Sequence, residues 1–171
     1  LTAQNIAFNE IARQAIMKDP NWHDGNYLNR GVSPNHGLAL ARMLGHITYL
    51  SDASMKEKFG RDLKKSKLNF NYEVEFQIES YLRYQGEKFV TGFDANTYML
   101  MTKSLDYYDP MKDLSGTIKD RLGNSKSKYL VISFTSDWRF PPIRSKEIVK
   151  ILLDNENNVS YSEITADGGH D

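Results

Sequence analysis

The sequence predicts an α/β protein in which a helical region, residues 1–128, precedes a small α/β region, residues 129–171. Two observations lead to this prediction. The first region repeats apolar residues at the spacing of helix faces. The second region contains two short runs of β-forming residues on either side of one amphipathic segment, which is the pattern of a βαβ unit with parallel strands.

The helical region begins with a clear amphipathic pattern. Residues 3–18 place their isoleucines and alanines on one face, and Pro20 is expected to end that helix. Residues 21–36 are rich in Asn, Gly, Pro and Asp, which is typical of a loop. Residues 37–50 carry a second helical stripe, and a third helix is predicted at 52–60.

The next part of the helical region is richer in aromatic residues. A polar connection at 64–72 leads to a segment, 73–90, that we predict as a helix ending near Gly86. Residues 94–109 are predicted as the following helix because Asp94 is a favoured N-cap residue and the interior contains strong helix formers.

The α/β region follows a charged segment, residues 111–128, for which at most a short helix is predicted. Residues 129–134, YLVISF, have the composition of a buried parallel strand. Residues 144–155 are amphipathic and predict a helix, and residues 158–164 predict a second strand. These three elements form the expected βαβ unit.

Composition limits the classes of function. The 22 basic and 22 acidic residues balance, which argues against a nucleic-acid partner, and there is no apolar run near the ~18 residues of a membrane span. The absence of Cys rules out disulfides and thiolate metal sites. We therefore expect a cytoplasmic protein with no nucleic-acid partner, no membrane partner and no metal. Because the chain starts at Leu1 and stops just after a Gly-Gly-His-Asp turn, we also expect it to be part of a longer protein.

A carboxylate and an imidazole follow the two predicted strands. Asp137 lies just beyond the first strand, and His170 lies just beyond the second. Since ligands of open parallel sheets sit at the carboxyl ends of the strands, Asp137 could orient the ring of His170 as in a nucleophile–Asp–His triad. Spacing alone favours the alternative, a turn-forming or capping Asp137 and an ordinary loop around His170. No G-x-S-x-G nucleophile motif occurs in the chain, so it contains at most two members of a triad.

The residues as a set resemble the homoserine O-acyltransferase family, which has the α/β-hydrolase fold. Six blocks resemble that family's segments in the same order: GLALARMLGHITYLS (37–51), FGR (59–61), VEFQIESYLRYQGEKFV (74–90), FDANTYMLMTKSLDYYDP (93–110), SFTSDWRFPPIRSKEIV (133–149) and GGHD (168–171). The resemblance covers essentially the whole chain but only the second half of such an enzyme. It implies an α/β-hydrolase fragment, with the helical lid followed by the last two strands and a helix of the parallel sheet.

The resemblance also implies a reaction and roles for five residues. The family moves an acyl group from acyl-CoA to the hydroxyl of L-homoserine by a ping-pong mechanism through an acyl-serine, in methionine biosynthesis. Asp137 and His170 match the triad Asp and His, and Asp171 matches the residue that holds the homoserine amine. Arg42 matches a lid arginine that binds the substrate carboxylate, and Tyr49 lines the same pocket. Considered alone, Arg42 could instead be a surface residue and Tyr49 a core residue.

Arg139 bears on the choice of acyl donor. The stretch SDWRF resembles the succinyl-using branch of the family, in which a guanidinium could pair with the second carboxylate of the succinyl group. An ion pair of Arg139 with Glu147, or exposure to solvent, is the alternative. We therefore expect succinyl-CoA as donor, with acetyl-CoA as the alternative.

The implied partners are small molecules and a second copy of the chain. The resemblance implies L-homoserine and succinyl-CoA or acetyl-CoA as substrates, no cofactor, and a homodimer through the lid helices. Serine as the acceptor stays open, because one methylene discriminates by only ~1–3 kcal/mol. A non-catalytic helical interaction module is the remaining alternative for the isolated chain, which lacks a nucleophile and is expected to be inactive.

Overall fold

A computed structural model describes residues 2–109, 112, 122–123 and 125–170 of the chain. It divides into two compact units, the first formed by residues 1–47 and 55–108 and the second by residues 48–54 and 109–171. The domain boundary after residue 128 stays a prediction.

Five α-helices lie wholly or mainly in the first unit, and each corresponds to a predicted helix. They are α1 (Ala3–Met17), α2 (Asn35–Tyr49), α3 (Asp52–Phe59), α4 (Gln77–Val90) and α5 (Ala95–Tyr107), with short 3-10 turns at His23–Gly25 and Tyr27–Arg30 inside the predicted loop. The end of α2 and the start of α3 belong to the second unit. Apolar spacing thus predicted α1 and α2, and the N-cap Asp94 with the helix formers after it predicted α5.

The core of the first unit is formed where α1, α2 and α5 meet. Its buried side chains are Ala12, Ile16, Tyr27, Leu38, Ala41 and Ala95. Gly37 at the start of α2 permits the close approach of α1, because a Cβ at this position would lie 2.6 Å from Cα of Ile16. The small residues in this core are thus explained by helices that pack at short distance.

Helix α4 begins later than predicted, at Gln77 and not at residue 73. The carboxylate of Glu79 accepts hydrogen bonds from the backbone N–H of Phe76, at 2.8 Å, and of Glu75, at 2.7 Å. A carboxylate in the first turn that accepts these bonds defines the helix start. The prediction was wrong because the acidic and aromatic residues before this cap have a composition that is also compatible with a helix.

The predicted end of this helix at Gly86 was also wrong, since α4 continues to Val90. Gly86 is buried inside the helix, where a Cβ would lie only 3.0 Å from Cβ of Ala39 in α2. Its role is therefore close helix packing and not chain termination. A glycine in a sequence signals either role, and only the neighbouring helix distinguishes them.

Asp94 caps α5, as predicted, and links it to the core. Its carboxylate accepts a hydrogen bond from N–H of Thr97 at 2.7 Å and another from the hydroxyl of buried Tyr27. Desolvation raises the pKa of Asp94, but the hydrogen bonds from Tyr27 and Thr97 together outweigh it and lower the pKa below the ordinary value of 3.8. The ionised carboxylate is therefore the form that stabilises the fold.

We expect Asp94→Ala to lower the free energy of unfolding of the complete protein by about 2–3 kcal/mol, because a helix cap and the acceptor of a buried hydroxyl are lost together. Because the folded pKa is depressed, this difference is present above the ordinary pKa and disappears as the pH falls through the folded pKa. Urea unfolding at neutral and acid pH measures it. Asp62→Ala, at an exposed position, is the control. An equal destabilisation by both variants would contradict the cap.

The second unit contains the βαβ pattern that the sequence predicts. Strand β1 (Lys128–Phe134) is followed by helix α6 (Pro142–Asp154) and strand β2 (Asn158–Ile164). The strands pair in parallel, from Lys128 opposite Asn158 to Phe134 opposite Ile164. Parallel pairing places the carboxyl ends of both strands at the same edge. The short helix predicted within residues 111–128 lies outside the described residues.

Two details of this unit differ from the prediction. Helix α6 begins at Pro142, two residues before the predicted start, because proline suits the first helical position. Strand β1 is exposed at alternate positions, where Leu130 is 68% and Ile132 is 48% accessible. In the described part of the chain, β1 pairs with β2 alone. This two-stranded sheet therefore leaves part of the apolar surface of β1 exposed.

Among the described helices, none combines the length and the apolar composition that a membrane crossing requires.

Candidate active site

The second unit brings Asp137 and His170 into contact. Each residue lies a few positions beyond the carboxyl end of its strand, and Oδ2 of Asp137 lies 2.8 Å from Nδ1 of His170. An ionised carboxylate can only accept hydrogen bonds, so Nδ1 donates and Nε2 keeps its lone pair. This contact orients the imidazole and selects the tautomer that can act as a base at Nε2.

The Asp137 carboxylate is held from two sides. The backbone N–H of Asp137 donates to the carbonyl oxygen of Phe134 at 3.2 Å, which closes a turn at the end of β1. Its Oδ1 accepts the backbone N–H of Phe140 at 2.8 Å, which leaves Oδ2 to face the imidazole. The side chain is only 7% accessible. A buried carboxylate needs such partners, since desolvation without hydrogen bonds is costly.

Backbone contacts place His170 just as tightly. Its N–H donates to the carbonyl oxygen of Tyr49 at 2.7 Å, and the N–H of Gly169 donates to Oγ of Ser136 at 3.0 Å. Gly169 has φ of +100°, a region that favours glycine, and a Cβ there would lie 2.6 Å from the backbone nitrogen of Ser51. Glycine is therefore required for the turn that delivers His170 to Asp137.

Aromatic rings flank the imidazole. The ring centroid of His170 lies 5.3 Å from that of Tyr49 and 4.9 Å from that of Phe140. The side chain of His170 nevertheless stays 38% accessible. The imidazole is thus restrained by Asp137 and by two neighbouring rings, while part of it stays exposed to solvent.

Arg139 lies in the same unit and is half-buried. Its Nη1 donates to Oγ1 of Thr48 at 2.7 Å, and its guanidinium lies 5.3 Å from the ring of Tyr49 and 5.5 Å from that of Phe140. Glu147, the alternative partner considered from the sequence, pairs with Arg144 instead, at 2.6 Å. The guanidinium of Arg139 and the imidazole of His170 therefore both lie next to the ring of Tyr49.

Residues 48–51, which we call the clasp, bond to the loop that follows β1 and to the loop that follows β2. Besides the contacts of Thr48 and Tyr49, the carbonyl oxygen of Leu50 accepts Nε1–H of Trp138 at 3.0 Å. The N–H of Ser51 donates to the carbonyl oxygen of Gly168 at 3.3 Å, and the Ser51 hydroxyl donates to that of Asp167.

Arg42 and Asp171 are the remaining predicted site residues. Arg42 belongs to the first unit, where its guanidinium lies 5.0 Å from the ring of Phe89 and lines a cavity with Lys88. Asp171 lies outside the described residues. The substrate-binding roles of Arg42, Tyr49 and Asp171 stay predictions, and so do the catalytic roles of Asp137 and His170.

Sequence reasoning missed the supporting residues of the site. Thr48 and Ser136 carry no pattern that marks them, because their partners lie far away in the chain. Gly169 did carry a signal, since a Gly-Gly pair is typical of a turn with positive φ. The described residues contain no group of three or more His, Asp or Glu side chains that could hold a metal ion.

The arrangement has the chemistry of a general base. A carboxylate that accepts from Nδ1–H stabilises the imidazolium formed when Nε2 takes a proton. Such a pair activates a hydroxyl nucleophile or acceptor and returns the proton to a leaving group. Arg139 places a positive charge in the same unit, against the ring of Tyr49 that also contacts the imidazole.

Comparison with known proteins supplies relatives over the full length of the chain. No protein-family model matches it. The chain is 61% identical to "Homoserine O-succinyltransferase" of Hydrogenovibrio crunogenus and 63% identical to the protein of the same name from Nitrosomonas eutropha, in both cases over 100% of this chain. It spans 45% of the length of each of these relatives and fits their C-terminal half. The resemblance to the homoserine O-acyltransferase family is confirmed.

Solved structures confirm the fold class. Homoserine O-acetyltransferase from Bacillus anthracis is similar with a TM-score of 0.84 and 20% identity, over 99% of this chain and 45% of that chain. The acetyl esterase MekB is similar with a TM-score of 0.70 and 19% identity, over 99% of this chain and 45% of that chain. The chain is part of an α/β-hydrolase fold, as predicted.

Proposed function

We propose that the complete protein to which this chain belongs transfers an acyl group from acyl-CoA to the hydroxyl of L-homoserine. The observation that carries the proposal is the identity of about 60% with curated homoserine O-succinyltransferases over the whole chain. The contact between Asp137 and His170 supports it, because acyl transfer to a hydroxyl needs a base of this kind.

The proposed reaction has two half-reactions that both use His170. In the first, Nε2 takes the proton of a serine hydroxyl, the serine oxygen bonds to the acyl carbon, and the proton passes to the departing CoA sulfur. In the second, Nε2 takes the proton of the homoserine hydroxyl, whose oxygen displaces the serine oxygen, and returns the proton to that serine. Asp137 stabilises the imidazolium in each. We propose that the serine lies in the part of the relatives' length that this chain does not span.

The acceptor would be held by charge. We propose that Arg42 binds the carboxylate of homoserine, that Asp171 binds its amine, and that Tyr49 lines the pocket. A planar guanidinium suits a carboxylate because it donates two parallel hydrogen bonds. The half-buried position of Arg42 over Phe89 supports this role, since the ring restrains the guanidinium without using its N–H groups.

A direct assay tests the reaction. The complete protein is incubated with homoserine and with succinyl-CoA or acetyl-CoA, and the acylated product is identified by mass spectrometry. The proposal requires O-acylhomoserine and, with acyl-CoA alone, an acylated serine. Replacing homoserine by serine tests the alternative acceptor. Release of free acid and CoA without any acylated amino acid would show a hydrolase and overturn the proposal.

We also propose succinyl-CoA as the preferred donor, and Arg139 gives the corresponding prediction. A guanidinium paired with the terminal carboxylate of the succinyl group is worth about 1.5–3 kcal/mol. Arg139→Leu should therefore lower the ratio of kcat/KM for succinyl-CoA to that for acetyl-CoA by about 10- to 150-fold.

The matched control is Arg144→Leu, which removes an exposed guanidinium at the start of α6 whose partner is Glu147. This variant should keep the wild-type ratio. An Arg139→Leu enzyme that still prefers succinyl-CoA as strongly as the wild type would remove Arg139 from donor selection while leaving homoserine acylation itself intact.

A further inference from the structure

Thr48 occupies an unusual position at the end of α2. Its residue surface is only 1% accessible, and its Oγ1 accepts a hydrogen bond from Nη1 of Arg139 at 2.7 Å. The two residues are 91 positions apart in the chain. A short hydrogen bond from a charged donor is among the stronger polar contacts in proteins.

The geometry around Arg139 shows why this bond matters. The guanidinium also lies against the rings of Tyr49, at 5.3 Å, and Phe140, at 5.5 Å. Attraction between a cation and a ring holds the cation near the ring face but leaves rotation within the guanidinium plane weakly restrained. A hydrogen bond to one nitrogen restrains that rotation because it depends on direction. The Thr48 hydroxyl therefore restrains the rotation of the Arg139 guanidinium in its plane.

The clasp also contacts His170, so it bonds both to Arg139 and to the residue that carries the imidazole. Tyr49, the residue after Thr48, accepts the backbone N–H of His170 at 2.7 Å, and Leu50 accepts Nε1–H of Trp138 at 3.0 Å. The two residues that follow Thr48 thus bond to the loop after β2 and to the loop after β1. A guanidinium has five N–H donors, so the same side chain can donate to Thr48 and to a ligand carboxylate.

We propose that Thr48 is a positioning residue for donor specificity: it orients Arg139 to bind the terminal carboxylate of a dicarboxylic acyl donor. This inference rests on the proposed acyl transfer. It adds that selection between donors depends on a buried hydroxyl at the end of α2, which does not itself contact the donor.

The test is a competition between succinyl-CoA and acetyl-CoA in one reaction of the complete protein with homoserine. Both acyl products are quantified by mass spectrometry, so their ratio is independent of how much of each variant is folded. Thr48→Val keeps the shape of the side chain and removes the acceptor, and we expect it to lower the succinyl-to-acetyl product ratio about 5- to 20-fold. Thr48→Ser keeps the hydroxyl and should stay within about twofold of the wild type.

A double-mutant cycle separates positioning from general packing. If Thr48 acts through Arg139, Thr48→Val should change the product ratio of the Arg139→Leu enzyme by less than about twofold. Thr48→Ala repeats the measurement should Thr48→Val fail to fold.

The outcomes distinguish the inference from the proposed function. A Thr48→Val ratio equal to that of the wild type, or an equal effect of Thr48→Val in the presence and absence of Arg139, would overturn the role of Thr48 while donor selection by Arg139 stands. A wild-type protein that acylates homoserine from neither donor would overturn both proposals.

Discussion

Replacing His170 by Gln should lower kcat of the complete enzyme by about 10⁴- to 10⁶-fold, the range that loss of a triad base produces in serine hydrolases. Glutamine is similar in size but cannot take a proton from a hydroxyl. Both half-reactions need that transfer, so CoA release in the absence of homoserine should fall together with product formation. Steady-state and single-turnover assays with succinyl-CoA measure the two effects.

His36→Gln is the matched control. This histidine is exposed on α2 in the first unit and has no role in the proposed reaction. The variant should retain wild-type kcat. If His170→Gln kept substantial CoA release, or if both histidine variants lost activity to the same extent, the assignment of His170 as the base would be wrong.

Replacing Asp137 by Asn should lower kcat by about 10⁴-fold, by analogy with the corresponding change in serine proteases. The structure supplies the reason. The backbone N–H of Phe140 needs an acceptor, so the amide oxygen of Asn should occupy the position of Oδ1. The amide NH₂ would then face Nδ1 of His170, which would have to accept. The hydrogen moves to Nε2, and the imidazole can no longer act as a base at that atom.

Asp154→Asn is the control for this variant. Its side chain is 58% accessible and pairs with Lys150 at the surface, where such pairs contribute little. We expect the Asp154 variant to be fully active and Asp137→Asn to be folded but inactive. An active Asp137→Asn enzyme would show that the contact between Asp137 and His170 is structural and not catalytic.

The sequence predicted the order and type of the elements because each depends on local pattern. Apolar spacing located α1 and α2, the N-cap Asp94 and the helix formers after it located α5, and the β-forming composition located the two strands. The errors fell where a long-range contact decides. Gly86 continues α4 because Ala39 approaches it, and α4 starts at Gln77 because Glu79 closes a cap there. Neither contact is visible in the local pattern.

The same distinction holds for the candidate site. That Asp137 and His170 meet follows from parallel strands, whose carboxyl ends share an edge. The contribution of the clasp could not be predicted, because Thr48 and Tyr49 reach the site only through tertiary packing. Arg139 was predicted as a site residue from the resemblance of SDWRF to the succinyl-using branch of the family, but no motif marks Thr48, to which Arg139 donates a hydrogen bond.

The central claim is that Asp137 fixes the imidazole of His170 as a base, and its tautomer is the most direct test. Nitrogen-15 NMR of the histidine rings in the complete protein, with His170 assigned by its loss in His170→Gln, reports which ring nitrogen carries the hydrogen. We predict hydrogen on Nδ1 of His170 in the wild type and on Nε2 in Asp137→Asn. Hydrogen on Nε2 in the active wild-type protein, with Nδ1 as acceptor, would contradict the account.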